Sequence, residues 1–138
     1  MDSAKSFGIN ILKSHEKNIN DAVMFDIDHT LIFYDETPNK PIIDLAKYSK
    51  KLGYKIIIIT ARPTCKGNVE YTEYELKKHN IPFDLIIYAS HEDKHSIKEK
   101  LSCRFVLSVG DLWTDITNSL HYIKLPSTTE NIKHLYFR

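Results

Sequence analysis

The stretch AVMFDIDHTLIF, residues 22–33, constrains this chain more than any other. Val23, Met24 and Phe25 form an apolar run of the kind a buried strand shows, and the run stops on Asp26-Ile27-Asp28 before turning through His29-Thr30. In open α/β sheets ligands bind outside the carboxyl ends of the strands, which is where an Asp ending such a run would lie. If the strand stops at Asp26, side-chain alternation breaks there. The turn that follows can then bring both carboxyls to one pocket while Ile27 enters the core. Asp and Thr are also ordinary turn formers, so the stretch alone supports a plain strand-to-loop transition equally well.

Two further runs share the pattern. YKIIIIT, residues 54–60, ends on the hydroxyl of Thr60, and FVLSVGD, residues 105–111, ends on Gly110-Asp111 with Asp115 just beyond. In chain order the polar groups are Asp26-x-Asp28-x-Thr30, then Thr60, then a lysine at 94 or 98, then Gly110-Asp111-x-x-x-Asp115. That order resembles the haloacid dehalogenase superfamily of aspartyl-nucleophile phosphatases, over residues 22–126. The segment GDLWTDI, followed by a strand ending KLP, is closest in style to the acid-phosphatase (class B, subfamily III) branch. The chain departs from that branch in length and in lacking a secretion signal, and it carries His29 where many superfamily members have Gly.

The resemblance implies a magnesium-dependent phosphomonoesterase. Asp26 would attack phosphorus to form an aspartyl phosphate. Asp28 would protonate the leaving oxygen and then activate water. Thr60 and the amides of Ala61 and Arg62 would hold the phosphoryl oxygens, with the Arg62 side chain near phosphate or leaving group. A Mg2+ ion would lie between the Asp26 carboxylate, the Asp28 backbone carbonyl and Asp111, with Asp115 ordering its shell. The chemistry asks for such a set, because an anionic nucleophile approaching an anionic phosphoryl group needs positive charge and donors around the equatorial oxygens. Magnesium prefers hard oxygen ligands with waters retained. The lysine must stand at the top of the helix before the last of these strands, and the rise of about 1.5 Å per residue favours Lys94 over Lys98.

Other readings compete. A catalytically weak phosphate- or metal-binding module could use the same fold, although it would have no chemical need for a second carboxylate at Asp28. His91-Glu92-x-x-His95 matches the zinc-protease pattern, but it follows a strand directly, contains Lys94 and has no evident third ligand. Cys65 lacks the Arg a few residues later that a cysteine phosphatase needs, and no Gly-rich loop ending in Lys-Ser/Thr occurs.

Alternating strands and helices within 138 residues predict one Rossmann-like three-layer α/β/α domain with a mostly parallel sheet. Its core would span residues 20–126, with a tail at 127–138 and no sizeable cap, because short gaps separate Asp26, Thr60 and Lys94. Helices are expected over 6–19, from Pro41 to a stop at Gly53, over 69–79, within 90–101 and in the turns of 112–119. Strands are expected at 84–88 and 121–125, and the tail is expected to add a helix or remain mobile. Phe33 and Tyr34 fall in a turn-rich flap, where they cover the core or wall the site, and Trp113 is expected to pack on the sheet. A formal net charge of +1 gives no global drive toward nucleic acid or an anionic membrane. The absence of a long apolar segment, together with two cysteines read as free thiols, points to a cytoplasmic, soluble chain. An open site would admit a phosphorylated small molecule or a macromolecular end, nucleic acid entering as substrate only, and a homo-oligomer partner could close over it.

Overall fold

The computed structural model describes residues 1–127 and 135–138. Strands β1 (Asp21–Phe25), β2 (Lys55–Thr60), β3 (Leu85–Tyr88), β4 (Arg104–Gly110), β5 (His121–Lys124) and β6 (Tyr136–Phe137) form one sheet in the order β3-β2-β1-β4-β5-β6. The first five run parallel and β6 lies antiparallel on β5. Helices α1 (Asp2–Ser14), α2 (Lys40–Lys51), α3 (Lys66–Lys78), α4 (Lys94–Lys100) and α5 (Trp113–Ile116) connect them, with a single 3-10 turn at His91–Asp93 entering α4.

β1 is central because its side chains suit burial on both faces, and every residue in it is buried. Phe25 pairs with Ile58 of β2 and Val109 of β4, and the amide of Asp26 donates to the Val109 carbonyl. This register brings the ends of β1, β2 and β4 level, so Asp26, Thr60 and Gly110 emerge at one edge. Burying one Phe or Ile side chain is worth roughly 1.5–3 kcal/mol, and the isoleucines of β2 repeat that gain along the strand.

The two faces are covered unequally. Leu12 of α1, Ile42 and Leu45 of α2 and Leu76 of α3 pack with Val23, Phe25, Ile56 and Ile58 into the larger core. Met24, Ile57, Ile59 and Phe105 on the other face meet Ile97 of α4 and Leu101 just after it. The architecture is the expected α/β/α sandwich, with one thin layer.

Several boundaries differ from expectation. α1 starts at Asp2 and stops at Ser14 rather than spanning 6–19, and Ile19 is exposed. Asp21 explains the early stop: its carboxylate accepts from the Asn18 amide and binds His15 and Arg104, so 15–20 form a turn into β1. α3 begins three residues before position 69, with Cys65 at its N-cap position, and ends at Lys78, after which Asn80, with φ 55°, reverses the chain. Gly53 follows α2 with φ 94°, a left-handed position that favours glycine. The tail was expected as a helix or a mobile end, but its last residues add strand β6, where the Phe137 ring lies 4.7 Å from that of Phe7. The rest of that expectation falls on residues 128–134, outside the described residues. Both cysteines are free. Among the described residues no helix is long and apolar enough to cross a membrane.

Candidate active site

A cleft of about 410 Å³ opens at the carboxyl edge of the sheet, lined by Asp26, Asp28, His29, Ala61, Arg62, Pro63, His91, Asp111 and Leu112. Asp26 stands at its floor, nearly buried. Its Oδ1 accepts from Lys94 Nζ at 2.9 Å and its Oδ2 from Thr30 Oγ1 at 3.3 Å. Thr30 is itself fixed, since its carbonyl accepts from Asn39 Nδ2 at the start of α2.

Asp111 and Asp115 complete a carboxylate cluster. One oxygen from each of Asp26, Asp111 and Asp115 lies within 4.8 Å of the others, and all three residues are buried. Lys94 Nζ donates to Asp115 Oδ1 at 2.6 Å, and the other Asp115 oxygen accepts from the Leu112 amide at 3.0 Å. Gly110 permits this packing. A Cβ there would stand 2.2 Å from the Asp115 Cβ, a separation no side chain could keep.

Charge decides what such a cluster can hold. Three carboxylates and one ammonium leave two net negative charges in a dry place, the balance of a divalent cation with oxygen ligands. Without that cation, burial pushes the Asp26 carboxyl well above its usual range, and the charge of Asp115 adds to the effect against the pull of Lys94. Burial raises Asp111 in the same way, while its hydrogen bond with Asp26 works against the rise. For Lys94 burial acts downward, but the Asp26 and Asp115 charges outweigh it and hold the ammonium protonated. The Asp28 side chain is not part of this cluster, so a contribution from that residue would come from its backbone carbonyl.

The two candidate lysines separate cleanly. Lys94 reaches the carboxylates, whereas Lys98, one turn deeper, donates to Ser108 Oγ at 2.9 Å and to the carbonyls of Asp115 and Thr117. Burial pushes Lys98 down to about 7, yet each of its three donors has an acceptor. It fastens the turn carrying Asp115 to α4 and β4.

Asp28 and Arg62 face each other across the cleft. Arg62 Nε donates to Asp28 Oδ2 at 3.0 Å and Nη2 to Oδ1 at 2.8 Å, a two-pronged pair at the mouth. Arg62 thus lies beside the carboxylate rather than open toward the phosphoryl position. Thr60 is buried at the end of β2, and its Oγ1 accepts from the Arg62 amide. His29, with φ 64°, lines the cleft instead of facing only solvent. Trp113 is half-exposed and packs on the sheet as expected, its ring 6.2 Å from that of Tyr122 in β5 and 6.3 Å from that of Tyr136 in β6. Phe33 is at the surface and Tyr34 almost wholly exposed.

The zinc-protease reading fails on geometry. His91 lies in the 3-10 turn and His95 in α4, and both ring nitrogens of His95 are engaged, Nδ1 by Thr117 and Nε2 by Glu99. Among the described residues only Asp26, Asp111 and Asp115 are grouped to hold a metal.

Residues that sequence reasoning passed over also shape the site. Lys124 is fully buried and donates to the Asp111 carbonyl at 2.6 Å, fixing the backbone below the cluster. Glu75, on α3, lies 2.8 Å from Arg62 Nη2. A lysine ending a short strand and a glutamate in a charged helix both read as surface residues, so neither gave a signal.

These features match a known family. Residues 23–121 match the haloacid dehalogenase-like hydrolase family, and the chain belongs to it. No curated protein matches the sequence. Among solved structures, a chain in a Pnkp1/Rnl/Hen1 complex superposes with a TM-score of 0.59 at 22% identity, over 72% of this chain and 42% of that one. A chain of the Pnkp1/Rnl/Hen1 RNA repair complex superposes at 0.58 with 24% identity, over 69% of this chain and 37% of that one. This chain therefore spans about two fifths of the length of those two, and at such identity the likeness speaks for the fold.

Proposed function

We propose that this hydrolase is a magnesium-dependent phosphomonoesterase acting through an aspartyl phosphate on Asp26. The observation that carries the reading is the placement of Lys94 Nζ between Asp26 and Asp115, inside a cluster of three buried carboxylates at the strand ends. Asp26, Asp111, Asp115 and the Asp28 carbonyl would hold Mg2+, which when bound neutralises charge on the phosphoryl oxygens and on the attacking carboxylate. Lys94 keeps a fixed positive charge beside the Asp26 oxygen it binds, while the other oxygen accepts from Thr30, so the carboxylate is held from both sides.

In the first step an Asp26 oxygen attacks phosphorus as the bond to the leaving oxygen breaks, and Asp28 delivers its proton to that oxygen. In the second, Asp28 takes a proton from water as the water oxygen attacks the aspartyl phosphate, releasing inorganic phosphate and regenerating Asp26. Thr60 and the amides of Ala61 and Arg62 hold the phosphoryl oxygens.

The substrate class we favour is a phosphorylated macromolecular end, with nucleic acid first. The described stretch between β1 and α2, residues 26–39, is short, and the cleft opens to solvent beside Asp28. The similarity to chains of an RNA repair complex supports the same choice. The purified protein should hydrolyse an aryl phosphate only with Mg2+ present, and Asp26→Asn should abolish turnover while leaving the fold intact by circular dichroism. Full activity in excess chelator, or in Asp26→Asn, overturns the mechanism. For the substrate, kcat/KM on phosphorylated oligonucleotide ends should exceed that on small phosphate esters, and the opposite order overturns the choice.

A further inference from the structure

A chain of polar contacts runs behind Asp28 and out to the surface. Arg62, which grips Asp28, also donates from Nη1 to Thr72 Oγ1 at 3.2 Å and sets Nη2 2.8 Å from Glu75 Oε1. Glu75 is buried, and that oxygen has no well-aligned hydrogen bond despite its closeness to the guanidinium, so the two groups meet as a buried ion pair. The Tyr71 hydroxyl lies 3.3 Å from Glu75 Oε2 and donates to Glu36 Oε1 at 2.6 Å. Glu36 belongs to the flap after β1 and holds φ 69°.

A buried carboxylate is costly unless a cation stays beside it, so Glu75 holds the guanidinium against α3. During the reaction Asp28 must release Arg62 to present its proton to the leaving oxygen. The Glu75 ion pair and the Thr72 hydrogen bond do not involve Asp28, so Arg62 stays at the wall and does not follow the phosphoryl charge into the cleft. We propose that Glu75 is a positioning residue of the reaction: it holds Arg62 in place so that Asp28 can alternate between its guanidinium-bound position and the leaving group. Tyr71 ties this anchor to the flap through Glu36. The inference rests on the role given above to Asp28 as general acid, and it adds residues of α3 to that role.

The test compares Glu75→Gln, Asp28→Asn and the double variant on an aryl and an alkyl phosphate. Glu75→Gln should lower kcat on the alkyl ester about tenfold and on the aryl ester by less than about twofold, since a good leaving group needs little protonation. Adding it to Asp28→Asn should cause no further loss, because both changes act on one step. Equal losses on the two esters, or losses that multiply in the double variant, overturn the proposal. Tyr71→Phe, a change at the surface, should show the same leaving-group signature more weakly, and it serves if Glu75→Gln does not fold. A second measurement needs no turnover: the Arg62 Nε–H proton should exchange slowly in the native protein and faster in Glu75→Gln by NMR. Unchanged exchange overturns the anchoring, whereas an inactive native protein with the expected exchange overturns only the phosphatase reading.

Discussion

At the scale of single residues, the same amino acid does different work according to where a strand or helix leaves it. Lys94 and Lys98 are one turn apart on α4 and both buried, yet one meets carboxylates and the other carbonyls and a hydroxyl. Under the proposed mechanism, Lys94→Met should therefore cut turnover by at least about 100-fold without raising the Mg2+ concentration for half activity, because the fixed charge that would face the phosphoryl group is lost while the residues that would hold the metal stay. Asp111→Asn should raise that concentration. Lys98→Met should leave turnover per folded molecule nearly unchanged and cost roughly 1–3 kcal/mol in urea unfolding, the cost of leaving buried acceptors without a donor. A crippling Lys98→Met with a mild Lys94→Met would reverse the assignment.

At the scale of elements, the parallel strands deliver the site and the last antiparallel strand closes the sheet edge. β6 contributes few hydrogen bonds but brings Phe137 against Phe7 of α1, joining the two ends of the described chain. Phe137→Ala should cost about 1 kcal/mol, the scale of an aromatic pair, read as a lower urea midpoint at unchanged slope. Because this contact is not part of the carboxylate cluster, hydrolase activity per folded molecule should not change. A loss of activity at unchanged stability would mean that the edge strand shapes the cleft.

At the scale of the whole molecule, stability toward acid depends on a cluster at the sheet edge opposite the site. Asp21 is buried, accepts from Arg104 at 2.9 and 3.0 Å and from the Asn18 amide, and lies 2.9 Å from His15 Nε2. The Arg104 hydrogen bonds hold its carboxyl well below the usual carboxylate range, although burial acts against them. The folded carboxyl therefore keeps its charge at a pH where the unfolded one has taken up a proton. The stabilisation is complete above the unfolded value of about 3.9 and disappears as pH falls below it. Asp21→Asn should lower the unfolding midpoint at pH 7 and flatten its fall between about pH 5 and pH 2. An acid limb as steep as that of the native protein would show that other carboxylates govern it.

The sequence by itself determined the strands and the polar groups at their ends. Apolar runs that stop on Asp26, Thr60 and Asp111 state both where a strand is buried and where it ends on a polar group, since neither property depends on a distant partner. Local turn chemistry was equally readable at Gly53, where positive φ is a property of one residue. Only the tertiary structure decided which groups meet. Glu75 and Lys124 look like surface charges until α3 and β5 dock against the neighbouring loops, and the pairing of Arg62 with Asp28 joins residues that share no local pattern. The early end of α1 is a case of the same kind, because the carboxylate that organises the turn after it is held by Arg104, far along the chain. Periodicity reports how a residue sits relative to its own element. A long-range ion pair depends on how two elements are placed, and that is set by packing of the whole core.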